Sequence, residues 1–324
     1  SRLIPAGLLL LACALSAPAD VRAALPLPAP AKGERIVLIG NALAERMQYY
    51  GHFETLLHRR FPDREITLRN MGHSGDTPAY RPRAGRPDQW AFPGGEKHRP
   101  EYAQHLGQGH LPSEDEWLTQ IGADTILAFF GFNESFDGLA GLEKFSGELS
   151  AFVDHTLSQP YNGRRAPRLV LVSPIAFEDL SSTQDLPDGR VENTHLERYT
   201  AVMREVAAAK GVGFIDLFSL TRTWYAETPQ PLTINGAHLS DAGYRKLAPA
   251  LLERLYGPGE PVSTVDPEAL RAAVNEKSWF WLNDYRMING VHVYGRRHRP
   301  FGNINYPHEI LKIREMTLLR DAKI

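Results

Sequence analysis

The chain has 324 residues, 43% of them hydrophobic and 23% charged, which is a globular composition large enough for one big domain or two modest ones. Its formal net charge of -2 removes any bulk electrostatic case for a nucleic-acid partner. Two basic clusters, Arg81 to Arg86 and Arg296 to Arg299, are expected to be solvated loops.

Residues 1–23 have a basic start at Arg2, an apolar run around Leu8 to Leu11 and a small-residue exit at Val21-Arg22-Ala23. That is the pattern of a secretory signal peptide, too short to span a membrane as a stable helix, so the expectation is export to the periplasm or the cell exterior. The sole cysteine, Cys13, lies inside it. Ordinary cleavage leaves a mature chain without disulfides; cleavage at "LLAC" instead leaves Cys13 as a lipid anchor. Residues 24–33 read as a Pro/Ala linker, extended and poorly ordered.

From Arg35 onward, apolar runs of strand length alternate with amphipathic helical stretches. Strands are predicted at 35–40, 65–70, 124–130, 168–173 and 213–217. Helices are predicted at 42–60, 113–121, 139–158, 192–210, 219–227 and 240–256. Strands that are apolar throughout and separated by helices imply a parallel sheet covered on both faces, a three-layer α/β/α sandwich. After Pro258 the pattern changes. A helix over 264–277, an aromatic-, Arg- and Asn-rich run and a last helix at 308–322 form a C-terminal appendage, 258–324, expected to continue beyond Ile324. The main unit is then 34–257.

A parallel sheet binds ligands beyond the carboxyl ends of its strands. Four short runs fall there: Gly40-Asn41-Ala42, Asn70-Met71-Gly72-His73-Ser74-Gly75-Asp76, Gly131-Phe132-Asn133-Glu134 and Asn235-Gly236-Ala237-His238. In that order they resemble the four blocks of the SGNH/GDSL hydrolases, over about residues 35–256. The resemblance implies a five-stranded flavodoxin-like fold, ester hydrolysis and no cofactor. It places the nucleophile position at Ala42, the oxyanion donors at Gly72 and Asn133, and the base at His238 with Asn235 as its orienter. The family has Ser at the first of these positions and Asp at the last. A methyl group has no lone pair to attack a carbonyl, so an acyl-enzyme route from Ala42 is closed. "GNALAERMQYYGHFE" and the tail "NGVHVYGRR" further resemble the variant module of large exported planctomycete-type bacterial proteins, in which more domains commonly follow.

Several residues remain open between roles. Ser74 is the alternative nucleophile, with Thr77 beside it, and Asp76 or Glu134 the alternative water-activating bases. Glu134 is otherwise expected to hold backbone amides, Asn41 to cap a helix, and Glu45 and Arg46 to sit on the surface. Trp90, Phe92 and Tyr102, in the long 78–112 passage, either stack on sugar rings or anchor the loop. No metal site is expected, since the histidines lack ligand spacing. The function left in view is an esterase acting on a glycan or other small ester; the alternative is a catalytically inactive carbohydrate-binding or protein-interaction module.

Overall fold

A computed structural model describes residues 25–324 apart from 84, 103–108, 110, 288–289, 300–303 and 305. The signal-peptide reading and Cys13 lie outside the described residues. Among the described residues, five strands form one parallel sheet: β1 (Arg35–Gly40), β2 (Thr67–Asn70), β3 (Thr125–Phe129), β4 (Arg168–Val172) and β5 (Gly213–Ile215). Their order is β2-β1-β3-β4-β5. The helices in chain order are α1 (Ala42–Tyr50), α2 (His52–Arg60), α3 (Glu114–Ile121), α4 (Leu142–Ser158), α5 (Arg190–Lys210), α6 (Leu217–Glu227), α7 (Asp241–Tyr256), α8 (Pro267–Tyr285), α9 (Gly290–Val293) and α10 (Tyr306–Asp321). None of the described helices is long and apolar enough to cross a membrane.

Successive side chains of a strand point to opposite faces, so each strand feeds two cores. Val37 and Ile39 of β1 join Ile126 and Ala128 of β3 on the face carrying Trp117 of α3 and Phe145 and Phe152 of α4. Ile36 and Leu38 join Leu127 and Phe129 on the other, with Leu57 of α2 and Leu247 and Leu251 of α7. This is the α/β/α sandwich expected from the apolar strands. In this strand order the direction of winding reverses between β1 and β3, and a crevice opens there beyond the strand ends.

Four expectations are corrected. The helix foreseen over 42–60 is two helices, because Gly51 takes a left-handed conformation (φ 69°) that ends α1. Strand β5 stops at Ile215, because Asp216 caps α6 by accepting a hydrogen bond from the Ser219 amide (2.8 Å). The described part of the 24–33 linker is docked: Leu27 is buried against the α7-side core, and its amide donates to the Leu255 carbonyl (2.6 Å). Arg81, Arg83 and Arg86 are buried rather than solvated. They surround the Glu114 carboxylate, which three guanidinium groups hold down at about 2 against the cost of its burial. Arg296, Arg297 and Arg299 do face solvent.

The 258–324 segment packs along the edge strand β2. Trp281 of α8 donates its indole N–H to the Asn70 carbonyl (2.6 Å), and Arg69 of β2 pairs with Asp321 at the end of α10. Helix α8 runs to Tyr285, eight residues past the expected end at 277. The first part of the aromatic run, Trp279 to Tyr285, is thus its last turns.

Candidate functional site

Each chemistry-bearing residue reaches the strand ends by a local device. Asn41 follows β1, and its side-chain oxygen accepts the Leu43 amide (3.1 Å), so α1 begins at Ala42. The turn before α7 folds around Asn235. Its Oδ1 accepts the amides of Ala237 (3.2 Å) and His238 (3.0 Å) and contacts His238 Nδ1 (3.1 Å). Ser240 then caps α7 by accepting the Gly243 amide (3.2 Å).

Ala42 and His238 meet in one shallow cleft, walled by Phe132, Pro174 and Ile175. The His238 and Phe132 rings lie 6.1 Å apart. Ala42 is 7% exposed. No described residue lining this cleft carries a hydroxyl or thiol. Two backbone amides require an oxygen at the Asn235 position facing His238, so Nδ1 carries the imidazole proton and Nε2 keeps its lone pair. Burial, then the Arg46 charge, lowers the His238 pKa from its ordinary 6.5, and Glu45 opposes them. The imidazole is a neutral base at neutral pH.

The two oxyanion candidates have partners inside the fold. The Gly72 amide donates to Asn70 Oδ1 (2.9 Å), and the Asn133 side-chain amide donates to the Asp76 carbonyl (2.8 Å). Gly72 is also needed for close packing, since a Cβ there would stand 2.6 Å from the Glu45 nitrogen. A substrate oxygen would have to compete for the Gly72 N–H, whereas Asn133 keeps a second amide hydrogen.

The alternatives of the second and third blocks divide. Ser74 is exposed and lies outside the Ala42–His238 cleft; its hydroxyl donates to Glu45 Oε2 (2.6 Å). Thr77 is buried and donates to Glu148 (2.5 Å). Asp76 is buried and clamped by both terminal nitrogens of Arg83 (2.7 Å each), which leaves it no reach to a water in the cleft. Glu134 accepts the Gly131 amide (2.7 Å), as expected of a carboxyl that holds the turn after β3. Glu45 corrects the surface reading. It is buried and accepts hydrogen bonds from Ser74, Tyr49 and Arg286, and its pKa is held down despite the cost of burial. Sequence reasoning missed Arg286 as its partner, because 241 residues separate the two. In the long passage, Phe92 is buried against His155 and anchors the loop. Trp90 and Tyr102 are half-buried and pack on Tyr80.

The sequence matches the family described as GDSL-like lipase/acylhydrolase over residues 39–246. No curated protein matches it. Among solved structures, a gut microbial diltiazem-metabolizing enzyme superposes with a TM-score of 0.50 at 16% identity, over 71% of this chain and 48% of its own. The chain thus spans about half the length of that enzyme. An acetylxylan esterase from Geobacillus stearothermophilus gives 0.49 at 18% identity, over 73% of this chain and 99% of its own. An alpha/beta hydrolase from the metagenome of Lake Arreo, Spain, gives 0.47 at 18%, over 71% and 98%. At such identities the likeness is one of fold.

Proposed function

The chain belongs to the GDSL-like lipase/acylhydrolase family, and from that premise we propose that it acts on carbohydrate esters or other small esters with water, not serine, as the nucleophile. The observation that carries this reading is a neutral His238 with its Nε2 lone pair available in the cleft that holds the Ala42 methyl. Water entering beside that methyl attacks the ester carbonyl as Nε2 takes its proton. The tetrahedral intermediate collapses, the leaving alcohol receives that proton, and acid and alcohol depart without an acyl-enzyme. Asn235 holds the imidazole but gives the imidazolium no counter-charge; in a serine protease the matching Asp-to-Asn change costs roughly 10⁴ in turnover. Slow turnover is therefore part of the proposal.

A second reading has its own support. The engaged Gly72 amide favours a module that binds a carbohydrate or a protein without hydrolysing it. Export, with or without a lipid on Cys13, the variant planctomycete-type grouping, the 34–257 and 258–324 division and further domains beyond Ile324 complete the proposal.

Acetate release from acetylated sugars, run beside a fluorophosphonate probe, decides between the readings. Water attack gives slow release without covalent labelling, and release disappears in His238→Ala. Ala42→Ser should gain esterase activity and become labelled at that position, about 10²-fold or more above the parent if the pocket is otherwise competent. Labelling of the parent at Ser74 would overturn the proposed nucleophile. No release by the parent, together with an inert Ala42→Ser variant, would leave the binding module.

A further inference from the structure

The segment after β4 lies against the turn that carries His238, and one buried side chain joins the two. The Glu178 carboxyl accepts the Leu232 amide (3.0 Å), the Thr233 amide (2.7 Å) and the Thr233 hydroxyl (2.6 Å). We propose that Glu178 is a positioning residue, fixing the 232–238 turn so that the His238 imidazole is presented to the cleft at Ala42. The proposal rests on the reading of His238 as the base and deepens it.

The link runs through the middle of the turn. The Thr233 hydroxyl that donates to Glu178 also accepts the Gly236 amide (2.9 Å). The Glu178 backbone amide in turn donates to the Gly236 carbonyl (2.8 Å). Gly236 is thus gripped on both sides by one residue. It takes a left-handed conformation (φ 82°), and a Cβ there would stand 2.3 Å from the Phe177 ring, so glycine is what lets the turn come this close. Among the described residues, the Glu178 carboxyl makes hydrogen bonds only to residues 232 and 233 of this turn. What it holds is therefore the turn itself.

Asn235 alone does not fix the ring. Its one Oδ1, with two lone pairs, meets three donors: the amides of Ala237 and His238 and the imidazole Nδ1. An uncharged contact of 3.1 Å, shared in this way, is a weak hold, so the direction of the ring follows the backbone beneath it. Pro174 and Ile175, which wall the cleft, stand in the same segment as Glu178. Glu178 thereby ties the wall of the cleft to the turn that bears the base.

Heteronuclear NMR of the imidazole nitrogens in the full chain tests this whether or not ester is turned over, with His238→Ala assigning the signals. In the parent the Nδ1–H tautomer should dominate, and its titration should lie below 6.5, lowered by burial first and by the Arg46 charge next. Glu178→Gln puts amide hydrogens against the Leu232 and Thr233 donors. Its His238 should lose the single tautomer, and the titration should rise toward 6.5 as the ring gains water. Thr233→Val breaks the relay to Gly236 and should move the signals the same way, whereas Thr233→Ser keeps the hydroxyl and should match the parent. Lys277→Met disturbs the contact of α8 with α2 instead and should leave the His238 signals in place. The proposal is overturned if folded Glu178→Gln keeps the parent's tautomer and titration, or if Thr233→Val keeps them where Glu178→Gln does not fold. It is equally overturned if Thr233→Ser departs from the parent as far as Thr233→Val, or if Lys277→Met shifts His238 as much. Absent acetate release would overturn the ester reading instead, and would leave these signals as they are.

Discussion

The carboxyl of Glu134 is pushed up to about 8, first by burial and then by the neighbouring Glu148 charge. Its ordinary value is 4.5, so across the interval between the two the folded chain holds a proton that the unfolded chain has released. The stabilisation is complete below the lower value and is lost as pH rises through the upper one. Stability should therefore decline from pH ~5 to ~8, by up to about 1.4 kcal/mol per unit from this group. Glu134→Gln keeps a neutral amide in the same place and should flatten that decline. Melting curves at several pH values check it; parallel declines in both proteins would exclude Glu134 as the cause. At His238 the direction is opposite. Its pKa lies below the ordinary 6.5, lowered by burial first, so any ester hydrolysis should persist below pH ~6.5 before it falls.

At the scale of elements, α1 and the loop after β2 are packed closely at Gly72. A Cβ on Gly72 would lie 2.6 Å from the Glu45 nitrogen and 2.9 Å from the Ala44 Cβ. Those are backbone and short side-chain atoms that cannot swing aside. Gly72→Ala should cost about 1–3 kcal/mol in urea unfolding, and it should loosen the Ser74–Glu45–Arg286 network. An unchanged unfolding midpoint would mean that α1 moves away freely. Glu45 matters here as a joint. It holds the loop through Ser74, α1 through Tyr49 and the end of α8 through Arg286.

For the whole molecule, the question is whether the last 67 residues stabilise the sheet or merely follow it. Lys277 of α8 is buried and donates to Glu54 of α2 (2.8 Å) and to the Leu68 carbonyl of β2 (3.1 Å). Burial lowers the Lys277 pKa, while the Glu54 pKa stays depressed by the lysine. Both remain charged through each other. Removing one partner strands the other charge in a dry interior, so Lys277→Met should destabilise the whole chain by about 3–5 kcal/mol. Adding Glu54→Met should recover much of that loss, since a buried ion pair replaced by apolar side chains is often neutral. Denaturant unfolding of the single and double variants measures it. A single variant that unfolds like the parent would mean that α8 detaches before the sheet melts.

Strand number and direction, the helices between strands, and the edge on which the site lies were all legible along the chain. Each depends on local periodicity, and a strand buried on both faces announces itself by an unbroken apolar run such as Ile36 to Ile39. The Asn41 cap was legible for the same reason, because a cap acts within three residues. The approach of His238 to Ala42 needed only the order of motifs and the rule that parallel sheets gather their strand ends. What the sequence could not show was charge compensation. Arg81, Arg83 and Arg86 look like a solvated run until Glu114 is placed among them. Glu45 looks like a surface residue until Arg286 arrives from the far end of the chain. The Gly72 amide looks free until the Asn70 side chain turns back onto it. Hydrophobic pattern is written in neighbouring residues, but the partner of a buried charge is chosen by the fold, often across hundreds of residues, and only the tertiary structure decides it.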